Sequence, residues 1–219
     1  QMSGANGPAY TSIVGGGANG CILHYIENKD MLKNGDLVLI DAGCEYEDYA
    51  SDITRTFPVN GKFSDEQAAI YDIVLKALKE AIDVTQAGTP YNKTNETTIR
   101  VITEGLVELG LLKGDINDLI KAEAHREFYM HGAGHWLGLD VHDVGDYKID
   151  GEWRIYEPGM VVTIEPGIYI SPKNKKVDTK WRGIGVRIED DIVITKTGNI
   201  NLTSKVPRER NEIEKMMAK

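Results

Sequence analysis

The densest chemistry in this sequence lies in His131-Gly-Ala-Gly-His135-Trp-Leu-Gly-Leu-Asp-Val-His142, which holds three of the chain's five histidines. Imidazole is the commonest metal ligand and the usual proton handler near neutral pH. The helical zinc signature H-E-x-x-H does not fit. Gly132 stands where its glutamate belongs, and Gly132 and Gly134 both weaken a helix. A metal held by this stretch must therefore draw its other ligands from elsewhere. The candidates are four carboxylates, Asp41, Asp52, Glu165 and Glu189. With His135 they make an oxygen-rich set, which suits Mn, Co, Fe or Zn at a two-ion site better than a thiolate zinc site.

Those side chains need elements to carry them. Leu37-Val-Leu-Ile40 is too short for a helix and rich in branched residues, so it reads as a buried strand that ends at Asp41. Residues 46–57 form a second strand region that contains Asp52 and stops at Pro58. A hairpin between the two puts Asp41 and Asp52 on neighbouring strands. Upstream, residues 10–14 read as a short strand before the Gly15-Gly16-Gly17 turn, and residues 21–26 as another apolar run carrying His24. Ser64-Asp-Glu-Gln67 is a capping box, and the apolar stripe from Ile70 to Ile82 predicts the helix behind it. Further helices are expected over 95–109, 115–124 and about 207–217, strands over 160–170 and 184–194, and a polar loop over 143–157.

An internal repeat links the carboxylates. Gly35-Asp-Leu-Val-Leu-Ile-Asp41-Ala-Gly43 resembles Gly159-Met-Val-Val-Thr-Ile-Glu165-Pro-Gly167. Each has a glycine, a short apolar strand, a carboxylate at its end and a glycine two residues on. Asp52 and Glu189 match as well, each followed nine residues later by a glycine, Gly61 and Gly198. Two such halves bring two pairs of carboxylates to one pseudo-symmetric centre.

Composition removes other classes of function. A chain of 219 residues with 41% hydrophobic content packs an ordinary core. A net charge of -9 without a basic cluster argues against nucleic acid. The cysteines, Cys21 and Cys44, are too few for a disulfide scaffold and fit a reducing compartment, so a cytoplasmic location is expected. No apolar run reaches membrane-spanning length and no signal peptide opens the sequence. The glycine-rich opening, without helical period, reads as the middle of a longer protein. Residues 1–219 are therefore expected to be one domain shortened on its N-terminal side.

Each candidate also has a plainer reading. Asp41 and Glu165 suit turns at strand ends, and the repeat favours ligands. A buried unpaired carboxylate at Asp52 is costly, so it must be exposed, paired or metal-bound. Strand alternation turns Arg55 away from it. Glu189 opens the run Glu189-Asp190-Asp191, which on its own suits a solvated face. Arg187, two residues earlier on the same face, is placed to orient Glu189. His131 and His142 are expected to handle protons or touch substrate. Tyr169 is expected to line the same cleft, and His125 reads as a surface residue.

Several stretches together resemble the catalytic domain of the bacterial Xaa-Pro aminopeptidases (aminopeptidase P). They are Gly20-Cys-Ile-Leu-His24-Tyr, Leu39-Ile-Asp41-Ala-Gly-Cys-Glu-Tyr, Asp52-Ile-Thr-Arg-Thr-Phe-Pro-Val, His131 to Asp143, Glu165-Pro-Gly-Ile-Tyr and Arg182-Gly-Ile-Gly-Val-Arg187-Ile-Glu189-Asp. The resemblance implies an α+β pita-bread fold of two pseudo-symmetric halves, with a curved antiparallel sheet covered by helices. It implies two divalent metal ions, Mn(2+) first, held by Asp41, Asp52, His135, Glu165 and Glu189. It implies a metal-dependent aminopeptidase that releases the N-terminal residue from peptides with proline second, through a hydroxide bridging the metals. Glu165 then serves as general base, His142 stabilises the oxyanion, His131 and His24 shape the proline side, Arg187 supports Glu189, and Tyr169 lines the pocket. A homo-oligomer is implied for the full-length protein, with no nucleic-acid or membrane partner. The nearest alternative is an Xaa-Pro dipeptidase (prolidase). A pita-bread fragment without catalysis, acting as a binding module, is the alternative of a different class. Methionine aminopeptidase fits the histidine stretch less well, and the metal-free creatinases lack reason to keep all five ligand types.

Overall fold

The computed structural model describes residues 2–218. Along the chain the elements are β1 (Gly7–Pro8), β2 (Ile13–Gly16), β3 (Leu37–Asp41), β4 (Cys44–Tyr46), β5 (Tyr49–Ala50), β6 (Thr54–Pro58), α1 (Asp65–Val84), α2 (Asn92–Glu108), α3 (Ile116–Lys121), β7 (Lys148–Ile149), β8 (Glu152–Trp153), β9 (Val161–Ile164), β10 (Gly167–Tyr169), β11 (Gly185–Arg187), β12 (Asp190–Thr195), β13 (Gly198–Asn201) and α4 (Arg210–Met217).

Two antiparallel sheets dominate. The first has the order β2-β3-β6, the second β13-β12-β9. In the first, Ile13 pairs with Asp41 and Asp41 with Thr54. In the second, Ile164 pairs with Asp190. Residues 133–137 then run along the free edge of β9. Glu165 N–H donates to the Ala133 carbonyl at 2.8 Å, Thr163 N–H to His135 at 2.9 Å, and Leu137 N–H to Val161 at 3.1 Å. So the histidine segment borders β9 as β2 borders β3, and the repeat in the sequence is a repeat in space. The halves meet where Glu189 N–H donates to the Thr54 carbonyl at 3.0 Å and the Thr56 hydroxyl to the Arg187 carbonyl at 2.9 Å.

The helices cover the back of these sheets. Ser64 and Gln67 make the capping box at the start of α1, and Ile70, Val74, Ala77, Leu78 and Ala81 are fully buried along one stripe. They join one core with Ile102 and Leu106 of α2 and Ile164, Ile188 and Ile192 of the sheets. At roughly 25 cal/mol per Å² of apolar surface removed from water, this cluster is the principal stabilising term and holds the sheets in fixed relation.

Local details emerge at three places. The first long strand starts at Ile13 rather than residue 10, and extends through Gly16. The apolar run 21–26 lies outside any strand, with Cys21, Leu23 and Tyr25 turned toward the cluster of Ile13, Leu39 and Tyr169 while Ile22, His24 and Ile26 face solvent. The loop over 143–157 contains the hairpin β7–β8, and β13 extends the second sheet.

Candidate metal centre

Both sheets deliver carboxylates to one pocket of about 360 Å³, lined by Asp41, Asp52, His131, His135, His142, Glu165, Arg187, Glu189 and His24. Asp41 is the last residue of β3, and Glu165 follows the last residue of β9. Glu189 precedes β12. Asp52 lies in the bend between β5 and β6, not within a strand. There its N–H donates to Asp191 Oδ2 at 3.2 Å.

Asp52, His135 and Glu189 each offer a ligand atom within 4.8 Å of the others, and all three are buried. His135 Nε2 lies 3.5 Å from Asp52 Oδ2 and 3.7 Å from Glu165 Oε1. The histidine's Nδ1 faces the Trp136 carbonyl at 2.9 Å, which leaves Nε2 for the pocket. His131 is 3.8 Å from Glu165 and 2.8 Å from the Tyr169 hydroxyl. The His142 ring centre is 4.0 Å from that of His135. Burial pushes Glu165 up to about 7 and raises Glu189 and Asp41, although Arg187 opposes the shift in all three. Burial drives His131 down to about 4, so this imidazole is neutral near pH 7. His142 is lowered by its own burial and by His135. In His135 burial acts the other way, but Asp52 and Glu165 outweigh it and hold the imidazole above its ordinary value. Asp41, Glu165 and Glu189, with their raised affinity for protons, show a centre short of positive charge. One imidazole and four oxygen donors suit hard or borderline divalent cations, so these residues fit a metal.

Two expectations about roles change. Arg187 does not reach Glu189. Its guanidinium donates to Asp41 Oδ2 at 2.7 Å, to the Tyr169 hydroxyl at 3.1 Å and to the Thr54 hydroxyl at 3.2 Å. Glu189 is oriented instead by Thr54, whose hydroxyl donates to Oε2 at 2.5 Å. The reason is that β6 lies beside β11 and inserts Thr54 between the two charged side chains. The second change concerns His125, which is buried rather than at the surface because the turn after α3 folds it under Tyr129.

The run Glu189-Asp190-Asp191 is no solvated face, since exposures are 2%, 0% and 3%. Asp190 pairs with Arg55 at 2.7 Å and with Arg208. Arg55 thus pairs with Asp190 and not with Asp52, although the alternation expected between them does not apply, since Asp52 lies outside β6. Tyr10 went unnoticed in the sequence. Its hydroxyl lies 2.5 Å from Asp41 Oδ1 and 2.5 Å from Asp52 Oδ1. No local pattern marks it; only the β2–β3 register, which brings the residues before Ile13 beside those after Asp41, reveals it.

Glycines permit these approaches. A Cβ at Gly43 would lie 1.6 Å from the Ser51 carbonyl oxygen, and one at Gly134 would lie 1.8 Å from that of Thr163. Either would push a ligand-bearing segment off its neighbour.

The profile of Metallopeptidase family M24 matches residues 1–196. An Xaa-Pro aminopeptidase of Escherichia coli (strain K12) is 58% identical over 98% of this chain and 48% of its own length. Human Xaa-Pro aminopeptidase 3 is 40% identical over 99% of this chain and 42% of its own. The chain thus spans about half the length of the curated relatives it matches. The solved structure of Pseudomonas aeruginosa aminopeptidase PepP superposes with a TM-score of 0.98 at 61% identity, over 99% of this chain and 49% of that one. A variant of Escherichia coli aminopeptidase P in complex with substrate gives a TM-score of 0.95 at 57% identity, with 99% and 49% covered.

Proposed function

Because the chain belongs to metallopeptidase family M24 and has the pita-bread fold of aminopeptidase P, we propose that it releases the N-terminal residue from peptides with proline in the second position. The observation that supports this most is the convergence of Asp41, Asp52, His135, Glu165 and Glu189 on one pocket, with three further histidines at its wall. Two divalent ions, Mn(2+) in our reading, would be held by Asp41, Asp52, His135, Glu165 and Glu189. Bound there, they supply a water of lowered pKa and a Lewis acid for the peptide carbonyl.

The chain's own groups do the rest. Glu165, with its raised proton affinity, takes the proton of the attacking water and passes it to the leaving imino nitrogen of proline. His142 donates to the carbonyl oxygen as negative charge develops there. Asp41, fixed by Arg187 and Tyr10, receives the substrate's free amine, which restricts cleavage to the chain end. His131, held by Tyr169, and His24 bound the proline ring. We further read residues 1–219 as one catalytic domain of a homo-oligomeric cytoplasmic enzyme, a setting in which Cys21 and Cys44 stay reduced. Among the described residues no helix is long and apolar enough to cross a membrane.

The test is hydrolysis of an Ala-Pro-containing tripeptide by Mn-loaded protein. Release of free alanine, abolished by chelator, is expected. Cleavage confined to Xaa-Pro dipeptides would replace this reading with a dipeptidase, and no cleavage of either would remove it.

A further inference from the structure

The bend that carries Asp52 is anchored by backbone on either side. Ser51 N–H donates to the Cys44 carbonyl and Ala42 N–H to that of Ile53, each at 3.0 Å. Asp52 itself lies outside any strand, and its N–H finds its acceptor in a side chain from the other half of the molecule, Asp191 Oδ2 at 3.2 Å. Asp191 is 3% exposed and stands outside the lining of the metal pocket. Its other oxygen, Oδ1, is buried without a hydrogen-bond partner. A half-satisfied buried carboxylate costs the fold stability, so packing gives no reason for an acid at this position. The contact with Asp52 gives one.

The backbone of Asp191 is fixed in turn. In β12 it pairs with Thr163 of β9. Thr163 holds His135 twice, since its hydroxyl accepts the His135 N–H at 3.0 Å and its own N–H donates to the His135 carbonyl at 2.9 Å. The Asp191 carbonyl accepts from Leu202 N–H at 2.8 Å, and the Asp191 N–H donates to the Thr203 hydroxyl at 3.1 Å. We propose that Asp191 is a positioning residue of the metal centre, which sets Asp52, a ligand from the first half, in register with His135, a ligand from the second. The inference rests on the metal-centre reading above and deepens it. Asp191 acts through Asp52 and not on a metal. What the position requires is an acceptor for one N–H, and a neutral amide oxygen meets that need as well as a carboxylate does.

The experiment titrates Mn into chelator-treated wild type, Asp191→Ala, Asp191→Asn and Leu78→Ala by calorimetry, with Tm followed alongside. Asp191→Ala removes the acceptor and is expected to weaken Mn binding about tenfold or more. Asp191→Asn keeps an acceptor oxygen without the charge, and is expected to bind Mn within about threefold of the wild type. Leu78→Ala lowers Tm through the core and leaves Mn affinity unchanged, which separates positioning from loss of stability. The Asp52 amide reads the same contact without metal. Its hydrogen exchange is expected to be slow in the wild type and in Asp191→Asn, and about tenfold or more faster in Asp191→Ala. Normal Mn affinity in Asp191→Ala, or an equal loss in Asp191→Asn or in Leu78→Ala, overturns the assignment. If Asp191→Ala does not fold, Asp191→Asn decides: near-wild-type affinity with a protected Asp52 amide upholds the role, and weakened affinity or an unprotected amide overturns it. Variants that behave as expected, in a protein that releases no alanine, uphold Asp191 and overturn the proposed activity alone.

Discussion

The Tyr10 hydroxyl has one proton to give and two carboxylates within reach, Asp41 and Asp52. It ties the two side chains to one point, in the way that partners behind a metal's ligands fix their orientation. Tyr10→Phe is expected to weaken Mn binding about tenfold or more by calorimetry, with the fold retained by circular dichroism. Unchanged affinity would show that the β2–β3 register alone positions the two acids. His142→Ala tests a different role. It is expected to lower kcat by roughly a hundredfold while leaving the Mn content intact, the usual scale for loss of an oxyanion donor. A normal kcat in the metal-loaded variant would remove that assignment. The raised carboxyl groups also set a pH dependence. Glu165 and Asp191 are both pushed up by burial to about 7. A folded-state pKa above the unfolded one means that the folded protein holds extra protons between the two values. Stability from these groups is therefore present at low pH and lost as pH rises through about 7. Metal replaces those protons. The gain in Tm on adding Mn to chelator-treated protein is expected to be larger near pH 8 than near pH 5, and an equal gain would contradict it.

At the scale of elements, the site depends on strands that pass unusually close. Gly134→Ala places a methyl group against the Thr163 carbonyl and forces residues 133–137 away from β9. The expected loss is about 1–3 kcal/mol in chemical denaturation, together with reduced metal content because His135 moves with the strand. Full stability and full metal loading would show that the segment can relax around the methyl. The same elements explain what was readable from the sequence. Leu37–Ile40 and Val161–Ile164 announced themselves as short branched runs ending in carboxylates, and the stripe from Ile70 to Ile82 with its capping box announced α1. These signals are local and periodic. Tyr10, Thr54 and Asp191 gave none, because their roles come from pairings that join distant segments: β2 with β3, β6 with β11, and β12 with the Asp52 bend. His125 and the acidic run at Glu189 misled for the same reason. A polar residue looks solvent-facing until the chain that covers it is known.

For the whole molecule, pseudo-symmetry supplies an economy of design. Each half contributes an edge segment, a central carboxylate-ended strand and a following carboxylate, and α1 and α2 lock the halves through one core. Placing acids from both halves at the junction makes the empty centre electrostatically unfavourable and the cation-bound one favourable. Folding energy and metal affinity are thereby coupled. The most direct test of this account is a Mn titration of chelator-treated protein by calorimetry, with release of alanine from an Ala-Pro tripeptide followed over the same titration. The account predicts two ions per chain, with activity absent at the start and saturating as the second site fills. Hydrolysis that persists in metal-free protein, or a protein that binds no Mn, would contradict it.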